Sequence, residues 1–446
     1  MFDGKPGFIL VDCGLRLPLM KIWPVRRIKG FISLPGDKSI SHRAALIAGV
    51  AEGPSELINF STSRDCESTL KCLEQLGVIV TRSANTVTIQ PPDQLRVPVG
   101  PLDCGNSGST MRMLAGLLAG NNLTCELTGD DSLSSRPMKR VIEPLEMMGT
   151  KIQSSGGKPP LVIQGTLPLS AITYELPVAS AQVKSCVLFA GLNATGRTIV
   201  IEPATTRDHT ERLFNGFGVP VEITGTAIAI NGPARFVGGD MTIPGDISSA
   251  AYFVAAAMLL PNSELTIEDV CLNPTRTEFI SLLRGWGGDI ESIETRSDRN
   301  EPSGSIKVAA SVITRGSNQP FRIGKDSIPA LIDELPLVAV VGSQLAGVEV
   351  RGAAELRVKE TDRINATVKN LRAMGAEVEE FDDGLFVNGP TKLRGAQLES
   401  FGDHRIAMAF SIAALVADGP SEISGASCVD ISFPEFFDLL KQVVEA

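Results

Sequence analysis

A chain of 446 residues is longer than one hydrophobic core usually holds, so the sequence predicts two domains. Hydrophobic content of 43% and charged content of 21% are ordinary for a globular protein, while aromatics at 5% leave Ala, Gly and Val to fill the interior. A formal net charge of −10 supplies no basic footprint for nucleic acid, and an acidic chain that binds an anion must gather its cations locally. The 8 cysteines contain no Cys-x-x-Cys pair, and with only 3 histidines there is no zinc spacing. Scattered free thiols fit a reducing cytoplasm. No apolar run reaches the roughly 18–20 residues of a membrane span. The longest, Ala250 to Leu260, reads as a buried helix.

In chain order, Met1 to Val25 shows neither a secretory apolar segment nor a cleavage site and reads as a leader strand or extension. Ile28-Lys-Gly-Phe-Ile-Ser-Leu34 is strand-like. Leu34-Pro-Gly-Asp-Lys-Ser-Ile-Ser-His-Arg43 then turns into an Ala/Leu helix. Pro35 and Gly36 make the turn, and Asp37 or Ser39 can cap the helix. A helix start presents unpaired N–H groups, and Lys38 and Arg43 add two cations there, so a phosphate suits it. A capped surface helix with solvated charges is the plainer alternative. A P-loop is excluded, because Asp37 stands where that motif needs a glycine.

The pattern repeats, which favours the anion site. Ile243-Pro-Gly-Asp-Ile-Ser-Ser-Ala-Ala copies it, and weaker copies open at Cys104-Gly-Asn-Ser-Gly, Ser180-Ala-Gln-Val-Lys, Asp333-Glu-Leu-Pro and Gly402-Asp-His-Arg. Most run on into an alternating strand, as at Ser55, Thr198, Glu264, Val348 and Ser421. Second helices are marked by Leu73–Gly77, Leu145–Gly149, Leu213–Gly218, Leu282–Gly287, Leu371–Gly375 and, cut short, Leu439-Leu-Lys. These are six units, three in each half, long enough to be supersecondary modules. The predicted division is 36–243 for one domain and 1–35 plus 244–446 for the other, with crossings at the two Pro-Gly-Asp turns. Arg296 to Ser305 and Ala309 to Ile323 are predicted to be long loops.

Leu356-Arg-Val-Lys-Glu-Thr-Asp-Arg363 packs three cations and two carboxylates into the seven residues from Arg357. Such a run is usually a solvated helix face. On a helix, however, Lys359 and Arg363 would share one face, and Glu360 could act as an acid–base group. Pro137 breaks a helix pattern and leaves Arg136 on a loop. Arg405 sits at a helix start. Ser180, Ala181 and Gln182 offer hydrogen-bonding groups beside Lys184. Asp333, among apolar residues, is either a base or an inert N-cap, the cap being the plainer reading.

Gly-Asp-Lys-Ser (36–39) with Arg43, Gly-Asn-x-Gly (105–108) with Arg112, Arg-Pro (136–137), Ser-Ala-Gln-x-Lys (180–184), Arg-x-His-x-Glu (207–211), Asn-Pro-Thr-Arg (273–276), Arg-Val-Lys-Glu-Thr-Asp-Arg (357–363) and Asp-His-Arg (403–405) together resemble the 5-enolpyruvylshikimate-3-phosphate synthase family. The match runs in order over roughly residues 26 to 440, and two of its motifs resemble the second bacterial class. The resemblance implies an α/β fold of two similar domains, each an inverse α/β barrel of three βαβαββ repeats. The active site would lie in the cleft between them. It implies transfer of the enolpyruvyl group of phosphoenolpyruvate to the 5-hydroxyl of shikimate 3-phosphate through a tetrahedral intermediate, with no metal and no organic cofactor.

By the same resemblance, Lys38, Ser39, Arg43, Ser180, Ala181, Gln182 and Arg207 match contacts to shikimate 3-phosphate, with Asp333 and Lys359 beside it. Lys38, Gly108, Arg136, Gln182, Arg363 and Arg405 match the phosphoenolpyruvate site. Asp333 matches the group that takes the 5-hydroxyl proton, and Glu360 the one that protonates the methylene carbon. A cytoplasmic monomer, inhibited by glyphosate and binding neither nucleic acid nor membrane, is implied. Three positions bear on the match: Glu355 stands where many members have Asn, Ile431 where the other class carries a lysine, and Gly108 is typical of glyphosate-sensitive members although the class motifs are those of tolerant ones. The related transferase acting on UDP-N-acetylglucosamine opens with Gly-Ala-Lys-Asn instead. A non-catalytic anion-binding relative would not need Asp333, Glu360 and Lys38 intact.

Overall fold

The computed structural model describes residues 9–11, 19–311 and 319–445. Each of the six polar turns opens a helix: Lys38–Ala48, Gly108–Ala119, Ala181–Gly191, Ile247–Leu259, Leu335–Gln344 and His404–Leu415. These helices are almost wholly buried, and most are apolar nearly all round, as residues Ile247 to Met258 show without a break. Burial removes water from their first N–H groups, so those groups need partners. Asp37, Ser107, Ser180, Asp246 and Asp403 cap five of the helices through their side chains, each contributing about 1 kcal/mol. The Leu335 helix instead carries Pro336 in its first turn and has Glu334 at the cap position without a side-chain cap bond. The surface-helix reading of the Lys38 stretch is therefore corrected: Ile40 through Ala48 are buried.

The chain forms two compact units. One holds Pro35–Pro244 with Arg296–Pro302; the other holds the described residues up to Leu34, Gly245–Thr295 and those from Ser303 onward. In the first unit, the Gly108 helix packs against both the Lys38 and Ala181 helices. Sheets of four or five strands cover the outside. Thr124–Thr128 runs parallel to the short strand Leu102–Asp103 and antiparallel to Lys158–Gln164, which pairs with Lys151–Ser155. Thr173–Glu175, Ala194–Ile201, Ala227–Gly232 and Val221–Thr224 repeat that pattern. The first repeat takes its leading strand from the far end of the unit, where Met241–Thr242 lies parallel to Ser55–Ile58.

The second unit uses the same plan. Arg27–Ser33 pairs parallel with Glu264–Cys271, Phe321–Ile323 with Gly347–Val350, and Gln397–Glu399 with Ser421–Ser424. The sixth repeat is completed by Leu19–Ile22 and Ile9–Val11, so this part of the leader is structural. Each unit is an inverse α/β barrel, helices inside and strands outside. The Ile247 helix is further anchored by aromatic edge contacts of Tyr252 and Phe253 with Phe433 and Phe436.

Arg296 to Ser305 is not a loop. It spans the turn of a hairpin, Asp289–Asp298 and Glu301–Ala309, made at Arg299 and Asn300 with φ of 47° and 65°. Its first strand is exposed over most of its length, which gave it a loop-like composition. The hairpin tip belongs with Pro35–Pro244, where Thr242 N donates to Asp298 Oδ2 at 2.8 Å, so the predicted domain division misses it. In the other predicted loop, 321–323 form a strand and 312–318 lie outside the described residues. No helix among the described residues is long and apolar enough to cross a membrane.

Candidate active site

In the first unit, the inner-helix starts carry the cations. Asp37 accepts from Ile40 N at 3.0 Å and fixes the first turn, with Lys38 and Ser39 in it. Lys38 Nζ lies 2.5 Å from Asp65 Oδ2, on the next helix, Arg64–Gln75. Asp65 escaped the sequence reading because its pairing is between helices, not within a motif. Arg43, one turn further in, donates to Thr210 Oγ1 at 2.8 Å, Ser185 Oγ at 2.9 Å and the Ser39 carbonyl at 2.8 Å. These neutral partners hold the guanidinium while leaving its charge uncancelled by them.

Ser107 caps the Gly108 helix, and Ser180 caps the Ala181 helix. The two starts are joined: Arg112 Nη1 donates to Gln182 Oε1 at 2.5 Å, and Gln182 Nε2 to Ser109 Oγ at 2.8 Å. Arg136 follows a short helix, Asp131–Ser135, and donates to Asn106 Oδ1 at 2.9 Å. Gly108 lies against both arginines. A Cβ there would meet Arg112 Nη1 at 2.8 Å and Arg136 Nη1 at 3.2 Å. Arg207 is half-buried on the loop before helix His209–Gly216. His42, wholly buried, has its Nδ1 2.7 Å from Thr69 Oγ1. Burial first, and then Lys38 and Arg43, hold its pKa well below the usual histidine value, so it is neutral. A separate cavity at the other ends of these helices, lined by Gly49, Gly120, Asn193 and Arg235, contains none of the predicted site residues.

The second unit gathers carboxylates around one guanidinium. Arg363 Nε donates to Asp403 Oδ2 at 2.7 Å, Nη2 to Glu360 Oε2 at 2.7 Å and Nη1 to Asp333 Oδ1 at 3.3 Å. Burial works against its charge, but Asp403, Glu360 and Asp333 hold its pKa above the ordinary arginine value. Arg405 Nη2 lies 3.9 Å from the other Asp333 oxygen, and its Nη1 lies 3.5 Å from Glu334 Oε1. Glu334 also receives the Ser248 hydroxyl, to which Arg276 Nη2 donates at 2.9 Å. Lys359 has a lowered pKa: burial favours its neutral form, and Asp333 opposes this.

Two expectations are corrected here. Asp333 is not the N-cap of the Leu335 helix, since Glu334 occupies that position and Asp333 turns to the arginines. Lys359 and Arg363 do not share a helix face. Ala354–Val358 is a 3-10 turn, Asp362 caps a new helix beginning at Arg363, and Lys359 lies before it. Arg357 is structural, bound to Asp362 Oδ2 at 2.6 Å and to the carbonyls of Phe381 and Asp382 at 2.7 and 2.8 Å. Asp403, Glu334 and Arg276 were missed as participants; all three lie in quoted motifs, but only the packing shows their partners.

Paired inverse barrels with cations at the inner-helix starts define the class: an enolpyruvyl transferase fold. The solved enolpyruvyl transferase NikO from Streptomyces tendae superposes with a TM-score of 0.78 over 96% of this chain and 98% of that one, at 16% identity, a likeness of fold alone. The family model for EPSP synthase (3-phosphoshikimate 1-carboxyvinyltransferase) matches residues 22–440, and the chain belongs to that family. It is 48% identical over 429 residues to the 3-phosphoshikimate 1-carboxyvinyltransferase of Koribacter versatilis, covering 96% of this chain and 99% of that protein. It is 45% identical over 427 residues to that of Thermotoga neapolitana, covering 95% and 100%. The solved EPSP synthase of Acinetobacter baumannii has a TM-score of 0.85 at 38% identity, covering 96% and 98%.

Proposed function

We propose that this chain transfers the 1-carboxyvinyl group of phosphoenolpyruvate to the 5-hydroxyl of shikimate 3-phosphate, releasing phosphate, in aromatic amino acid biosynthesis. The observation that carries the reading is the Asp333–Arg363–Glu360 group: two carboxylates on one guanidinium, 3.3 and 2.7 Å away, with Asp403 fixing its remaining edge.

Asp333 takes the 5-hydroxyl proton as that oxygen bonds to C2 of phosphoenolpyruvate. Glu360, ion-paired to Arg363 in the free protein, delivers a proton to the C3 methylene once the ligand draws that arginine away, giving the tetrahedral intermediate. Glu360, now a carboxylate, then takes a proton back from C3 as the bond from C2 to the phosphate oxygen breaks, which expels phosphate and restores the vinyl group. The reaction needs a base and an acid on different atoms, and two carboxylates in different surroundings supply them. Lys38, Ser39, Arg43, Ser180, Ala181, Gln182, Arg207, Asp333 and Lys359 hold shikimate 3-phosphate. Lys38, Gly108, Arg136, Gln182, Arg363 and Arg405 hold phosphoenolpyruvate. Planar guanidinium forks suit its carboxylate and phosphate, and the cations stabilise charge on the departing phosphate. Arg363 and Arg405, now turned to Asp333, Glu360 and Glu334, would transfer part of their bonding to the ligand and so release Asp333 as a base. We place the protein in the cytoplasm as a monomer, with glyphosate competing for the phosphoenolpyruvate site.

A cysteine-dependent transfer to UDP-N-acetylglucosamine fits less well. Burial pushes the thiols of Cys66, Cys125 and Cys428 up to about 12, which leaves them poor nucleophiles and acids. The test is phosphate release from purified protein with phosphoenolpyruvate and either acceptor. Release that depends on shikimate 3-phosphate is expected; release with only the UDP-sugar, or with neither, overturns the reading.

A further inference from the structure

The residue roles above leave a buried cluster of three charged side chains in the first unit without a task. Lys184 stands two residues after Gln182 in helix Ala181–Gly191. Its ammonium lies 2.7 Å from Glu211 Oε1 and 3.0 Å from Glu202 Oε2, and the three side chains are 1%, 3% and 2% exposed. Glu211 is in the first turn of helix His209–Gly216. Glu202 follows strand Ala194–Ile201 and accepts the hydroxyl of Thr206. Arg207 comes directly after Thr206 and just before that helix. One ammonium therefore fastens both ends of the Arg207 loop to the helix that starts at Ser180, Ala181 and Gln182. The neighbouring Thr210 accepts from Arg43 Nε at 2.8 Å, so a shift of this segment would also move Arg43.

Stability alone is a weak reason for such a cluster. Desolvating one cation and two carboxylates is costly, and an apolar trio of similar volume commonly does as well or better. The charge does not balance either. Glu211 Oε2 is buried without a hydrogen-bond partner among the described residues. Burial, opposed by Lys184, raises the Glu211 pKa above the usual carboxyl range. What an ion cluster supplies and an apolar trio does not is a fixed distance and direction between the elements it joins.

We infer that Lys184, with Glu202 and Glu211, is a positioning cluster that sets Arg207 and Arg43 against the Ser180–Gln182 helix start and thereby tunes recognition of the acceptor, the phosphorylated cyclohexene, rather than of phosphoenolpyruvate. This rests on the acceptor contacts assigned under Proposed function.

The test is steady-state kinetics with each substrate varied in turn. Lys184→Met leaves two carboxylates unpaired and can cost the fold, so it is paired with the triple variant Lys184→Met, Glu202→Gln, Glu211→Gln, which buries no net charge. In the folded variant the KM for shikimate 3-phosphate rises about tenfold or more, while kcat and the KM for phosphoenolpyruvate change by less than about threefold. Glu211→Gln alone keeps an acceptor for Lys184 and stays within about threefold of the parent in all three parameters. A folded triple variant with an unchanged acceptor KM overturns the inference, as does an equal loss in all three parameters, which is what general loosening would give. If the parent protein itself shows no turnover dependent on shikimate 3-phosphate, the functional reading fails first, and this inference goes with it.

Discussion

Gly108 shows how much one side-chain atom decides. A Cβ at this helix start would lie 2.8 Å from Arg112 Nη1 and 3.2 Å from Arg136 Nη1, and both are the ends of flexible side chains. Gly108→Ala is therefore expected to fold with a Tm within about 2 °C of the parent, while displacing the guanidiniums. The KM for phosphoenolpyruvate should rise, and the glyphosate concentration for half inhibition should rise about tenfold or more. A glyphosate titration of both proteins checks this; equal inhibition would remove Gly108 from the ligand site. Lys359 gives a pH prediction. Its folded pKa lies below 10.5, its unfolded value, so the unfolded chain binds the extra proton in that window and this residue's contribution to stability grows as pH rises through it. Its charge is lost at lower pH than an ordinary lysine's. The alkaline limb of kcat/KM should thus begin below 10.5, and Lys359→Arg should move it to higher pH. These residue types were legible in the sequence, since cations cluster at turns that open helices. Their partners were not. Asp65 reaches Lys38, and Asp403 reaches Arg363, only through packing between helices.

Among the elements, the inner helices were the most legible, because an all-round apolar run after a polar turn has few other uses. Their cost is close packing. At Gly116 a Cβ would come within 2.0 Å of the Cys186 carbonyl oxygen, a backbone atom that cannot swing away. Gly116→Ala should destabilise by about 2–3 kcal/mol, lowering the Tm by several degrees in a thermal melt. An unchanged Tm would contradict the packing of the Gly108 and Ala181 helices. The strands were harder to assign. Three repeats borrow strands from distant segments: Met241–Thr242 for the first, Arg27–Ser33 for the fourth, and the Leu19–Ile22 and Ile9–Val11 pair for the sixth. No local periodicity carries such pairing. Arg296 to Ser305 was read as a loop because the polar end of strand Asp289–Asp298 and the turn at Arg299 and Asn300 conceal the start of strand Glu301–Ala309. The Arg357–Arg363 run was read as one helix because spacing alone cannot reveal the 3-10 turn and the second cap at Asp362.

At the scale of the whole molecule, a net charge of −10 coexists with two gathered sets of cations. Lys38, Arg43, Arg136 and Arg207 lie in the Pro35–Pro244 unit, and Lys359, Arg363 and Arg405 in the other. The proposed chemistry draws on both sets within one chain. Lys38→Met should lower kcat/KM by at least about a thousandfold, and Asp333→Asn should do likewise while leaving binding of shikimate 3-phosphate detectable by calorimetry. Mixing the two inactive variants should restore nothing if a monomer holds the entire site. Recovery of activity on mixing would instead mean that chains share it.

The most direct measurement is phosphorus NMR of the wild-type protein incubated with equal phosphoenolpyruvate and shikimate 3-phosphate. Both substrate signals should fall together, with one inorganic phosphate and one enolpyruvyl ether of the phosphorylated cyclohexene formed for each pair consumed. Phosphoenolpyruvate lost to pyruvate and phosphate with shikimate 3-phosphate untouched, or no change in either signal, would contradict it.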